Sequence, residues 1–96
     1  MDKREYFWVI SRITKQHGVW ESCNTMEESN NTDSLTDNEF YSPHDAYKDG
    51  LRNLQYYEPG HYKLQVYYFA ENGAGEYEPG FEAEIHNGKI TEHKCN

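Results

Sequence analysis

Asn87-Gly88 stands between two short alternating runs, Phe81-Glu82-Ala83-Glu84-Ile85-His86 and Lys89-Ile90-Thr91-Glu92-His93-Lys94. An Asn-Gly pair in that setting is the strongest short-range hairpin signal, because both turn residues tolerate positive φ and the turn's twist matches that of the strands. A two-residue turn pairs His86 with Lys89, Ile85 with Ile90, Ala83 with Glu92 and Glu82 with His93. Phe81, Ala83, Ile85 and Ile90 then point inward, and Glu82, Glu84, His86, Lys89, Thr91 and His93 point outward. A slip of one residue would invert both faces, so this register constrains the rest of the chain.

Working back from the hairpin, Tyr77-Glu78-Pro79-Gly80 and Tyr57-Glu58-Pro59-Gly60 each place Pro before Gly in the order of a type II turn, and each leads into an extended run. The earlier one opens His61 to Ala70, with Tyr62, Leu64, Val66 and Tyr68 on one face and Lys63, Gln65, Tyr67 and Phe69 on the other. At the N-terminal end, Tyr6-Phe7-Trp8-Val9-Ile10-Ser11-Arg12-Ile13 is aromatic and β-branched on both faces and reads as a strand buried on part of each. Lys15-Gln16-His17-Gly18 turns the chain into a second extended stretch, Val19 to Cys23.

One segment reads as helix. Ser42-Pro43-His44-Asp45 supplies an N-cap, proline at the first helical position and an acid beside the positive end of the dipole. Ala46, Tyr47, Gly50, Leu51 and Leu54 follow as one apolar stripe, with Lys48, Asp49, Arg52 and Asn53 expected in water. Gly50 on the stripe implies close approach of the helix to a sheet. The expected fold is α+β in the order ββαβββ, an antiparallel sheet of about five strands with one helix packed on one face. One helix covers only one face, and some Tyr and Phe are expected partly exposed on the other, unless the 24–41 loop folds across and covers them.

Ninety-six residues make a single domain with one modest core. Nine Tyr, four Phe and two Trp supply apolar surface that disordered chains lack. Asn24 to Tyr41 is rich in Asn, Ser, Thr, Asp and Glu and reads as a long acidic surface loop at about 24–41.

The net charge of −8 is unevenly placed. Residues 21–46 carry Glu21, Glu27, Glu28, Asp33, Asp37, Glu39 and Asp45 with no Lys or Arg, and residues 71–96 hold six Glu against Lys89 and Lys94. Such a surface disfavours direct nucleic-acid binding, which draws its affinity from Lys and Arg on phosphates, and it favours a basic groove on another protein. The longest apolar stretches, Tyr6–Ile10 and Val66–Ala70, are far too short to cross a bilayer, and Met1-Asp2-Lys3-Arg4 leads into no long apolar region. The chain is expected in the cytoplasm, the host's if it is phage-encoded, with no membrane partner, with Cys23 and Cys95 reduced, and with the Asn30-Asn31-Thr32 sequon idle.

No nucleophile elbow, phosphate-binding loop or dinucleotide fingerprint occurs; Gly73-Ala74-Gly75 precedes no helix. The histidines and cysteines form no compact zinc pattern, although His93 and Cys95 would share one hairpin face. Asp33 to Glu39 has oxygen ligands without the central glycine of a calcium loop. Glu82 opposite His93 is the one candidate acid/base pair. No catalytic residue, metal or cofactor is therefore assigned, and the chain reads as non-enzymatic.

The leading expectation is a protein-binding inhibitor whose carboxylates occupy a basic groove, on a nuclease or nucleic-acid-binding complex, that would otherwise hold nucleic acid. In size and charge, though in no motif, the chain resembles the small inhibitors that bacteriophages make against restriction and CRISPR nucleases. The candidate partner-binding residues are Glu27, Glu28, Asp33, Asp37 and Glu39 in the loop, Glu82 and Glu84 on the hairpin, and Tyr67 on the sheet. The alternative is a homo-oligomeric accessory domain, such as a homodimer, pairing through an exposed aromatic sheet face. A small metal-dependent hydrolase is the third reading.

Overall fold

The computed structural model describes residues 4–16, 18–29, 40–57 and 59–93, the side chains at 15, 16 and 19–24 excepted. Its elements run β1 (Tyr6–Gln16), β2 (Val19–Glu28), α1 (Pro43–Leu54), β3 (His61–Phe69), β4 (Gly75–His86) and β5 (Lys89–His93). The strands form one antiparallel sheet in the order β2-β1-β3-β4-β5. The ββαβββ order and the single helix on one face are those the sequence predicts.

α1 begins where its capping chemistry places it. Ser42 is the N-cap, its hydroxyl accepting from the Asp45 amide at 3.4 Å, and Pro43 opens the first turn. The stripe formed by Ala46, Tyr47, Gly50 and Leu54 is buried against Trp8 and Ile10 of β1, Leu64 and Val66 of β3, and Ala83 and Ile85 of β4. Ile10, Leu64, Val66 and Leu54 are fully enclosed, and each contributes roughly 1.5–3 kcal/mol by leaving water. Gly50 is the contact point, since a Cβ there would lie 2.5 Å from Leu64 Cδ1 and 3.1 Å from Trp8 Cγ.

Several expectations change. Asp49 does not simply face water: its carboxylate accepts the Trp8 indole N–H at 2.8 Å and also pairs with Arg52. A tryptophan buried on the helix side needs a partner for that N–H, and the helix supplies it. β2 continues to Glu28, so residues 24–28, expected in the loop, lie in a strand. Its pairing with β1 carries register shifts between Ile10 and Ser11 and between Arg12 and Ile13, which accommodate a polar sequence that does not alternate cleanly. Beyond Glu28 the edge of β1 is completed by Ser29, whose hydroxyl accepts from the Trp8 amide, and by the Phe40 carbonyl, which accepts from the Tyr6 amide. Of the expected loop, residues 30–39 lie outside the described residues.

The second Pro-Gly pair does not open a strand. β4 starts at Gly75, and Pro79-Gly80 lies inside it, where the partner register jumps from Gln65↔Glu82 to Tyr67↔Tyr77. Among the described residues β5 pairs only with residues 82–86, so no described strand flanks this half of β4 on its outer side, where a proline breaks no ladder bond. The terminal hairpin has the expected register throughout. Asn87 and Gly88 both adopt positive φ, at 50° and 88°. Ile90 is nevertheless 38 % exposed rather than inward and buried, because it stands on an edge strand that the helix does not fully cover.

Candidate protein-binding face

The sheet face opposite α1 divides into an aromatic half and a polar half. Across β1 and β3 the register sets Phe7 opposite Tyr67 and Val9 opposite Gln65. The Phe7 ring stacks on Tyr67 with centroids 5.6 Å apart and lies 4.6 Å from Phe69, while Tyr67 meets Tyr77 edge-on at 5.9 Å. Gly75 makes room for this group, since a Cβ there would come within 3.0 Å of Phe7 Cζ. Phe7 is buried, Tyr67 and Phe69 are half-buried, and Tyr77 is 41 % exposed.

A hydrogen-bond chain links the halves. The Tyr67 hydroxyl donates to Gln65 Oε1 at 3.3 Å, and Gln65 Nε2 donates to Glu82 Oε1 at 3.2 Å. Lys63 Nζ lies 3.6 Å from the same oxygen. Burial, reinforced by the Glu82 charge, raises the Tyr67 phenol pKa, so the ring stays a neutral donor.

In the polar half Glu84 is held on both oxygens, by His61 Nε2 at 3.1 Å and by His93 Nε2 at 2.6 Å. His61 also stacks on His86, with centroids 4.6 Å apart. Burial alone would raise the Glu84 pKa, but the His93 hydrogen bond and the attraction of His61 and His93 outweigh it and hold the carboxyl below its ordinary value. His93 sits opposite Glu82 in the ladder, yet its side chain reaches diagonally to Glu84. The expected Glu82–His93 couple is therefore replaced by a carboxylate between two imidazoles.

Of the candidate residues, the structure brings Tyr67, Glu82 and Glu84 together on this face. Glu28 is exposed and pairs with Val9, a residue of the same face. Glu27 is set apart: it pairs with Ile10 on the helix side and accepts the Tyr57 hydroxyl at 2.6 Å. Asp33, Asp37, Glu39 and Cys95 lie outside the described residues. Phe7, Tyr77, His61 and His86 were not singled out from the sequence. Their signal was the outward alternation of β3 and β4, but the pairing of β1 with β3 that joins Phe7 to Tyr67 spans some sixty residues and has no local signature.

Among the described residues no group of three or more His, Cys, Asp or Glu is placed to hold a metal ion. On the helix side, Phe40, Asp45, Lys48, Leu51 and Arg52 line a depression of about 540 Å³. These lining residues include no nucleophile beside a base.

No family model, curated protein or solved structure matches the chain.

Proposed function

We propose that this chain is a non-enzymatic protein-binding module, acting in the cytoplasm, whose open sheet face and acidic surface occupy a basic groove on a nuclease or other nucleic-acid-binding complex. The observation that carries this reading is the cluster Phe7, Tyr67, Phe69 and Tyr77 on the face opposite α1, with Tyr77 41 % exposed and carboxylates at its border. Stacked aromatics supply a rigid apolar centre at small entropic cost, and Glu28, Glu82 and Glu84 supply a rim of the sign a basic groove attracts. Both Glu82 and Glu84 are already hydrogen-bonded within the chain, which fixes where their charge is presented. A phage-type role against restriction or CRISPR nucleases is the biological setting that best suits a small acidic blocker of this kind.

Homodimerisation through the same aromatic cluster is the second reading, favoured by the exposure of Tyr77. One experiment separates the two. A tagged chain is used to capture partners from lysate, the captured protein is purified, and binding is measured by calorimetry from 50 to 500 mM salt with nucleic acid as competitor. The inhibitor reading expects a basic partner, affinity that weakens with salt, and displacement by nucleic acid. A chain that binds no such partner and sediments as a dimer at micromolar concentration supports the homo-oligomer instead.

A further inference from the structure

Asn-Gly occurs twice in the chain, as Asn72-Gly73 between β3 and β4 and as Asn87-Gly88 between β4 and β5. The pair is chemically labile, because glycine has no side chain to shield its amide nitrogen from the Cγ of the preceding asparagine. All four residues are exposed, so access to water does not separate the two sites. Their hydrogen bonds do. At the first, the Gly73 N–H donates to the Ala70 carbonyl at 2.8 Å, and Asn72 Oδ1 accepts the Ala74 N–H at 2.9 Å, so both reacting groups are tied. At the second, the ladder closes on His86 and Lys89, and among the described residues no carbonyl accepts the Gly88 N–H. The group bonded there is the Asn87 amide, which donates to the Gly60 carbonyl at 2.9 Å and takes no part in the reaction.

We propose that Asn87 is a self-modification site, where the Gly88 nitrogen closes onto the asparagine side chain, expels ammonia and leaves an aspartate or isoaspartate that loosens β5 from the sheet. The Gly88 amide gives up its proton and its nitrogen bonds to Asn87 Cγ. The bond from Cγ to the side-chain nitrogen breaks, and that nitrogen takes a proton and departs as ammonia. One water then opens the cyclic imide. Attack at the side-chain carbonyl restores the backbone and leaves aspartate; attack at the backbone carbonyl routes the chain through Cβ and leaves isoaspartate. The sum is one water in and one ammonia out, with nothing oxidised or reduced. No partner is involved, so the site stands apart from the binding reading above.

β5 is the element placed to respond. It is an edge strand of five exposed residues whose register is set by the two-residue turn. Both turn residues hold positive φ, at 50° and 88°, and isoaspartate adds a backbone carbon for which that tight geometry has no place. Exposed edges open locally at low free energy, which also gives the turn the freedom that ring closure needs. A loosened β5 gives up the Tyr47–Glu92 bond of 2.7 Å and the His93–Glu84 bond of 2.6 Å.

The test incubates the full chain in mildly alkaline buffer, folded or in urea, and follows both Asn-Gly pairs by peptide mass spectrometry with fragmentation that separates aspartate from isoaspartate. In the folded chain Asn87 is expected to convert at least about fivefold faster than Asn72, and in urea the two rates to agree within about twofold. Equal rates in the folded chain, faster conversion at Asn72, or a ratio in urea as large as in the folded chain overturns the site. Hydrogen exchange then compares the isoaspartate fraction with fresh chain and with freshly prepared Asn87→Asp. That variant carries the new charge without the extra carbon, on an Asp-Gly pair that suits the same turn. Residues 89–93 are expected to exchange at least about tenfold faster in the isoaspartate fraction, and within about twofold of the fresh chain in Asn87→Asp. Unchanged exchange in the isoaspartate fraction, or an equal gain in Asn87→Asp, overturns the loosening of β5.

Discussion

A methyl group at position 50 would stand 2.5 Å from Leu64 Cδ1, and Leu64 is fully enclosed by the core. A free leucine could swing away, but this one has no space to enter. Overpacking of this kind costs about 1–3 kcal/mol, against a gain of about 1 kcal/mol from replacing glycine within a helix. Gly50→Ala is therefore expected to destabilise the chain by about 1–2 kcal/mol in urea denaturation, opposite in sign to an exposed helix glycine. The role of Gly50 was legible in the sequence because it interrupts an otherwise apolar stripe. That of Asp49 was not: one residue along, it reads as solvent-facing, and only the arrival of Trp8 from β1 makes it the acceptor for a buried indole.

At the scale of elements, two phenols tie the helical layer to both edge strands of the sheet. Tyr47 of α1 donates to Glu92 on β5 at 2.7 Å, and Tyr57, just after the helix, donates to Glu27 on β2. Burial first, then the carboxylate partner, raises both phenol pKa values above the ordinary 10.0. A group that holds its proton more tightly when folded adds stability that is complete below pH 10.0 and is lost as pH rises towards the folded value. Urea denaturation between pH 9 and 11 should thus show falling stability. The Tyr47→Phe/Tyr57→Phe variant should start lower at pH 8, by about 1 kcal/mol per hydroxyl, and fall less steeply. These ties also show where sequence reading stops. The start of the helix and the register of the Asn87-Gly88 hairpin are local and were readable, because caps and turns are set by neighbours. The extension of β2 to Glu28 and the placing of Pro79-Gly80 within β4 were not, since both depend on partners distant in the chain.

For the whole molecule, the sheet's two faces have different work. One is closed by α1 over a core drawn from four elements; the other presents aromatics at one end and a histidine–carboxylate cluster at the other. The uneven charge was visible in the sequence, but its division was not: Glu27 belongs to the helix side, while Tyr67, Glu82 and Glu84 share the face opposite α1. If that face is the binding surface, its exposed ring should matter more than an equally removable ring elsewhere. Tyr77, 41 % exposed beside Tyr67, and Tyr56, 79 % exposed just past the helix, provide the comparison. The measurement is the affinity of Tyr77→Ala and of Tyr56→Ala for the captured partner. Tyr77→Ala is expected to weaken binding by about thirtyfold, the effect of losing about 2 kcal/mol at an interface centre, and Tyr56→Ala to change it by less than about twofold. Unchanged affinity in Tyr77→Ala, or the larger loss in Tyr56→Ala, would contradict the assignment of the open face as the binding surface.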